Sequence, residues 1–291
     1  MKLISNIDKS INFVEEQLTG FLESRYVRKV PEYFICYLSS QDNCSHNCRF
    51  CHLTATGQNK NVRDTTLAQY IDQVDKVFRH YLDEKEGANY VHFNFMARGE
   101  ALANKDIIEN ADEILYELGK RANHFDSNLS VKFNVSTILP NTMDRELSEI
   151  FRIIHPTIYY SFYSADPTFR KKWLPKALPL EESLHLLKGY QDFSKKKIKI
   201  HHCFIEDEND DQEDVEEMLY LLSEHKHNLN VEFNLVRYNP YSSIQGKESS
   251  DEVIKRNIQI IENQLGKHNV KIIPRVGYDV QGSCGMFYKT K

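Results

Sequence analysis

Runs rich in Val, Ile, Phe and Tyr recur along the chain at Tyr33–Ser39, Tyr90–Met96, Leu129–Ile138, Thr157–Ser164, Ile198–Glu206, Val231–Tyr238 and Val270–Val276. β-branched and aromatic residues in short runs predict strands. Between them, apolar positions fall at helical spacing: Leu67, Ile71, Val74, Val77 and Phe78 make one face, and Ile107, Ile108, Ala111, Ile114, Leu115 and Leu118 make another. Arg145–Ile154, Leu180–Phe193, Asp214–His225 and Asp251–Leu265 follow the same pattern. Ahead of these units, the spacing predicts a helix over Ile11–Phe21 and a short strand over Glu23–Val30 that pairs with Tyr33–Leu38 through Pro31. Alternating strands and helices predict an α/β fold around a parallel sheet, and six or seven such units favour a partial or complete barrel over an open doubly wound sheet. Either architecture places a site at the C-terminal ends of the strands. The expected division is an N-terminal helix-and-strand extension over 1–31, a barrel over 32–276 and a C-terminal tail over 277–291.

Composition narrows the class. The 291 residues are 41% hydrophobic and 27% charged with mean hydropathy -0.56, which excludes disordered and collagen-like chains. The longest apolar run, Tyr33 to Leu38, is far too short to cross a membrane, and the N-terminus has no secretory pattern. The expected compartment is the cytoplasm. A net charge of -5 gives no general support to nucleic-acid binding but leaves room for local basic patches. The acidic stretch Glu206 to Glu217 reads as a solvated loop entering a helix N-terminus. Six cysteines in such a chain point to metal or redox chemistry before structural disulfides.

Three of them, Cys44, Cys48 and Cys51, follow the first barrel strand at Cys-x-x-x-Cys-x-x-Cys spacing. Thiolates so packed suit one soft centre, an iron–sulfur cluster or zinc. A structural zinc would take a fourth ligand, for which His46 and His52 are candidates, and the chain would then be a zinc-stapled RNA-binding module. A four-iron cluster with three protein ligands would instead leave one iron open. Cys203, beside His201 and His202, reads as structural, with a local metal site as the alternative.

The cysteine spacing, with Phe50 just before the last thiol, resembles the radical S-adenosylmethionine (SAM) enzymes. The surrounding text is similar to the RlmN/Cfr group of RNA adenine methylases. Ser39-Ser40-Gln41 matches its Ser-Ser-Gln, Met96-Ala97-Arg98-Gly99-Glu100 resembles Met-Gly-Met-Gly-Glu, and Val135-Ser136-Thr137 matches Val-Ser-Thr. Tyr238-Asn239-Pro240 matches Trp-Asn-Pro, and the run from Gly277 through Cys284 to Gly285 resembles Gly-Asp-Asp-Ile-Asp-Ala-Ala-Cys-Gly. The matches stay in order from about residue 23 to 286.

The resemblance implies a partial (β/α)6-type barrel with a short N-terminal extension, a [4Fe-4S] cluster on Cys44, Cys48 and Cys51, and SAM bound by Gly99, Glu100, Ser136, Ser161, Phe162, Tyr163 and Asn239. Tyr163 departs from the group's Ser-Leu-His. The resemblance further implies that Cys284 carries a methyl group taken from one SAM. A 5′-deoxyadenosyl radical made from a second SAM would activate it for transfer to an sp² carbon of adenine, carbon 2 before carbon 8. Cys36 would resolve the adduct by forming a disulfide, and Glu23 would be the base. Cys36 lies three residues before Ser39 where the pattern has two, and one step along a strand reverses the side-chain face. A bulge after Cys36 would restore it.

The implied partners are RNA, ribosomal or transfer, and an electron donor such as flavodoxin, with no membrane and a monomeric protein. Only about 22 residues precede Glu23, where the group usually has a separate helical RNA-gripping domain. Basic clusters at Arg25, Arg28 and Lys29, at Arg170, Lys171, Lys172 and Lys176, and at Lys195, Lys196, Lys197 and Lys199 could contact phosphates, and Trp173 could stack a base. The alternative keeps cluster and SAM but modifies RNA, a nucleotide or a protein in another way.

Overall fold

The structure is a computed structural model that describes residues 1–223 and 225–289. The chain order is β1 (Lys2–Ile4), β2 (Ile11–Glu16), β3 (Phe21–Val30), β4 (Tyr33–Tyr37), α1 (His52–Ala55), α2 (Leu67–Glu84), β5 (Tyr90–Phe95), α3 (Lys105–Phe125) and β6 (Ser130–Thr137). It continues with α4 (Leu147–Ile150), β7 (Thr157–Ser161), α5 (Pro167–Trp173), α6 (Leu180–Ser194), β8 (Ile198–His202), α7 (Gln212–Leu222), β9 (Val231–Val236), α8 (Asp251–Leu265) and β10 (Val270–Ile273). The strands form one sheet in sequence order from β1 to β10. Pairing is antiparallel from β1 to β4 and parallel from β4 to β10. With β1 and β10 as its edges, the barrel is partial, as expected from the strand–helix alternation.

Helices pack on the outer face because their apolar stripes need a partner surface. Val74, Val77 and Phe78 of α2 and Ile114, Leu115 and Leu118 of α3 meet Phe34, Phe93 and Phe133 of the strands in the main core. Local chemistry sets several helix starts. Thr66 and Gln69 form a capping box at α2, and Asn104 and Ser250 cap α3 and α8. Asp166 caps α5 with Pro167 at its first turn, a start signal that the apolar spacing overlooked. Among the described residues, no helix is long and apolar enough to cross a membrane.

Three expectations change. Residues Ile11–Phe21 are strand β2, a turn closed by the Gln17 amide on the Gly20 carbonyl at 2.8 Å, and the start of β3. Pairing of Ile11–Glu16 with Phe21–Tyr26 supplies ladder hydrogen bonds that override the helical spacing. The helix expected over Arg145–Ile154 shrinks to the single turn of α4. Strands expected to reach Ser164, Glu206 and Tyr238 stop at Ser161, His202 and Val236. The residues beyond those ends turn away from the ladder to build the rim of the barrel.

Candidate active site

The C-terminal ends of the parallel strands surround a cavity of about 1290 Å³, counted out to solvent at its mouth. Alternation along the strands aims Tyr37 of β4, Ser136 of β6, Ser161 of β7, His201 of β8 and Val236 of β9 into it. Cys44, Cys48 and Cys51 all line one wall. Their loop is shaped by Asn47 at φ 58, a conformation asparagine tolerates, and by the Cys51 amide donating to the Cys48 carbonyl at 3.1 Å. Burial pushes the Cys44 thiol to about 12, the Cys51 thiol to about 11 and the Cys48 thiol well above its usual value, and neighbouring thiols add to the shift at Cys44 and Cys48. Three soft donors in a low-dielectric wall suit a positively charged centre that keeps them as thiolates.

Among the described residues, no three Cys, His, Asp or Glu side chains converge as a single-ion site. The three thiols share the lining of a cavity that has space beside them. His46 lines the cavity with Nδ1 3.7 Å from Cys44 Sγ, and burial lowers its pKa to about 4. The His52 ring is outside the cavity lining, and its Nε2 donates to the Asn239 carbonyl at 2.9 Å.

Gly99 has φ +92, and a Cβ there would stand 2.6 Å from the backbone nitrogen of Gln41, so only glycine fits this close approach. Next to it, Glu100 accepts the Leu102 and Ile138 amides at 3.1 Å each, while burial pushes its carboxyl up to about 7. The site therefore carries a carboxylate that a cation would stabilise. Ser136, Ser161 and Tyr163 line the cavity. Tyr163 adopts φ 58 and its ring lies 4.6 Å from that of Phe50. Phe162 corrects the expectation: its fully buried side chain lies in the main core, away from the cavity. Asn239 does line the cavity, but its Nδ2 donates to the Cys284 carbonyl at 3.0 Å and its Oδ1 accepts from Arg275 Nε at 2.7 Å.

The tail brings Cys284 to the same cavity as the three loop cysteines. Its side chain faces open space, yet the cavity is deep, and burial pushes the thiol to about 12. Backbone contacts fix its neighbours: the His52 amide donates to the Gly285 carbonyl at 2.9 Å, and Arg25 reaches the Gly282 and Met286 carbonyls at 2.8 and 3.0 Å.

Cys36 does not join them. The β4–β5 register runs unbroken from Tyr33 to Tyr37, and the only irregularity nearby falls between Val27 and Val30 of β3. Without a bulge after it, Cys36 packs with Phe34 and Tyr26 in the main core, and Tyr37 faces the cavity instead. All six cysteines are free, so the disulfide has no standing counterpart. Cys203 is buried in the apolar cluster behind Cys48 and Tyr163. Glu23 is fully buried and ion-paired to Arg98 and Arg25, whose charges hold its carboxyl below the usual range against the cost of burial. That environment favours the ionised form of Glu23. Tyr37 and Arg98 are the residues sequence reasoning missed, while Arg25 was expected as a phosphate contact and His201 only as a neighbour of Cys203. Arg98 stood in plain view as a charge where the resembling motif has methionine.

Residues 38–219 match the radical SAM superfamily. The chain is 26% identical over 260 residues to the ribosomal RNA large subunit methyltransferase Cfr of Staphylococcus aureus, covering 86% of this chain and 68% of that protein. It is 24% identical to the dual-specificity RNA methyltransferase RlmN of Sulfurovum sp., covering 90% and 68%, and 27% identical to a probable RlmN of Aquifex aeolicus, covering 91% and 72%. The crystal structure of a radical SAM methyltransferase from Sphaerobacter thermophilus superposes with a TM-score of 0.79 at 18% identity, over 98% of this chain and 79% of that one. That likeness establishes the fold. Superfamily membership implies a four-iron cluster and SAM, which the three-thiol wall and the neighbouring cavity fit. The chain belongs to the radical SAM superfamily and is an enzyme homologous to the Cfr and RlmN methyltransferases.

Proposed function

We propose that the enzyme methylates an sp² carbon of adenine in RNA, carbon 2 before carbon 8, with Cys284 as the carrier of the methyl group. The observation that carries this reading is the meeting of Cys284 with Cys44, Cys48 and Cys51 in one cavity, although Cys51 and Cys284 lie 233 positions apart along the chain. Cys44, Cys48 and Cys51 would hold a cluster that, reduced and with SAM bound, would supply a 5′-deoxyadenosyl radical. Glu100 would pair with the SAM ammonium, and Gly99 lets that ligand approach the backbone. Ser136 and Ser161 offer hydroxyls along the same wall, and Tyr163 with Phe50 offers an aromatic surface. Cys284, as thiolate, would take the methyl group from the SAM sulfonium, with the neutral thioether S-adenosylhomocysteine as the leaving group. Arg25, Lys29, Arg237 and Arg275 line the cavity and suit a polyanionic substrate, and Tyr37 and Phe287 suit an extruded base.

Trp173 has no part in stacking, being fully buried, and Arg170 is a buried structural residue bonded to the Phe162 carbonyl. A monomer served by a flavodoxin-type reductant completes the reading. The placement of Cys36 favours one second reading, in which cluster and SAM serve a different radical modification that needs no resolving thiol.

Anaerobic purification, iron and sulfide analysis and peptide mass spectrometry of the tail test the proposal. Four irons with a methyl group on Cys284, and methyladenosine in RNA digests, are expected. A full cluster with unmethylated Cys284 after incubation with SAM selects the second reading.

A further inference from the structure

We propose that Arg98 is a positioning residue: with Glu23 it forms a buried latch that holds the C-terminal tail so that Cys284 faces the cavity. The inference rests on the reading that Cys284 works there.

Arg98 lies just past β5 and is 1% exposed. All of its donors are committed. Nε and Nη2 reach Glu23 Oε1 at 3.2 and 2.8 Å, and Nη2 also reaches the Tyr288 carbonyl at 2.7 Å. Nη1 reaches Gln58 Oε1 at 2.7 Å and the Asp42 carbonyl at 3.4 Å. Glu23 completes the closure. Its Oε1 accepts the Tyr288 amide at 3.1 Å, and its Oε2 accepts Asn12 Nδ2 at 2.8 Å and Arg25 Nη2 at 3.0 Å. Tyr288 is therefore gripped at both backbone groups by one ion pair. Arg25, steered by the same carboxylate, fixes Gly282 and Met286, so the anchors bracket Cys284 on either side. Phe287 adds packing, its ring 5.2 Å from the Arg25 guanidinium and 5.7 Å from that of Arg98.

Electrostatics explains why this arrangement acts as a unit. Loss of Glu23 would leave two buried guanidiniums without a counter-charge, and loss of Arg98 would leave Glu23 with Arg25 as its remaining ion-pair partner and take the guanidinium donor from the Tyr288 carbonyl. The tail carbonyls take up the guanidinium donors that the single carboxylate cannot. Breaking the Arg98–Glu23 pair thus releases the tail before it disturbs the helix-covered core, which lies on the other face of the sheet.

The test compares the native enzyme with Arg98→Lys, Arg98→Met and Glu23→Gln by hydrogen exchange and by S-methylation of Cys284. In Arg98→Met, exchange of the 284–288 amides rises about tenfold while α2 amides stay protected, as local opening requires. Arg98→Lys, which keeps the charge but loses the fork, gives a smaller rise and partial recovery of methylation at unchanged iron content. If Arg98→Met does not fold, Arg98→Lys and Glu23→Gln decide by the same exchange comparison. Unchanged tail protection, or equal loosening of tail and α2, overturns the latch. Absence of S-methyl in the native enzyme would instead overturn the proposed function, leaving the exchange result to decide the latch.

Discussion

Cys36 and Tyr37 are adjacent on β4 and face opposite sides of the sheet: the thiol is sealed under the helices among Phe34 and Tyr26, and the phenol looks into the cavity beside Arg25. The pairing of Tyr26 with Cys36 and of Arg25 with Tyr37 fixes this assignment from both strands.

Replacement of Cys36 therefore acts on stability. Cys36→Ala removes one buried sulfur and is expected to cost about 1 kcal/mol, read by chemical denaturation. Iron content and Cys284 methylation stay at native levels. Accumulation of a covalent RNA adduct in this variant would show that Cys36 reaches the site after all.

Gly99→Ala is expected to cost about 2 kcal/mol or more, because the new Cβ meets the Gln41 backbone and the residue must hold a positive φ. Thermal unfolding reads the loss. Binding of SAM, followed by calorimetry on the reconstituted protein, weakens in parallel, since the displaced turn carries Glu100.

Substitution of Cys44, Cys48 or Cys51 by Ala, one at a time, is expected to abolish retention of iron and sulfide while far-ultraviolet circular dichroism is unchanged. His52→Ala keeps the iron, because its ring is turned to the Asn239 carbonyl. Zinc at about one per chain without sulfide would contradict the cluster.

Glu100 makes the unliganded protein sensitive to pH. Its carboxyl is raised from 4.5 to about 7, so the folded state favours the protonated form. The resulting penalty is absent below 4.5, grows as pH rises and is complete above 7, amounting to about 3 kcal/mol. Denaturation at pH 5 and pH 8 should show this loss in the native protein and its absence in Glu100→Gln. Glu23 has the opposite sign: its lowered pKa contributes stability above 4.5 that disappears as acid protonates it.

Much of the fold was legible because its signals are local. Apolar runs and helical stripes located β4 to β10 and the long helices, and the spacing of Cys44, Cys48 and Cys51 announced soft-metal chemistry before any geometry was known. Asp166-Pro167 shows that a missed helix can still carry a readable start.

What only the tertiary structure decided depends on faces and partners that sequence distance hides. Residues Ile11–Glu16 became a strand because β3 lay alongside, and Phe162 joined the core while Ser161 and Tyr163 met the cavity, because alternation divides neighbours between two faces. The family resemblance alone had cast Glu23 as the base. Folding surrounded it with Arg25, Arg98 and the Tyr288 amide, partners that favour its ionised form. Sequence by itself determined the class of chemistry; the register of β4 and the buried ion pair decided which side chains are placed to perform it.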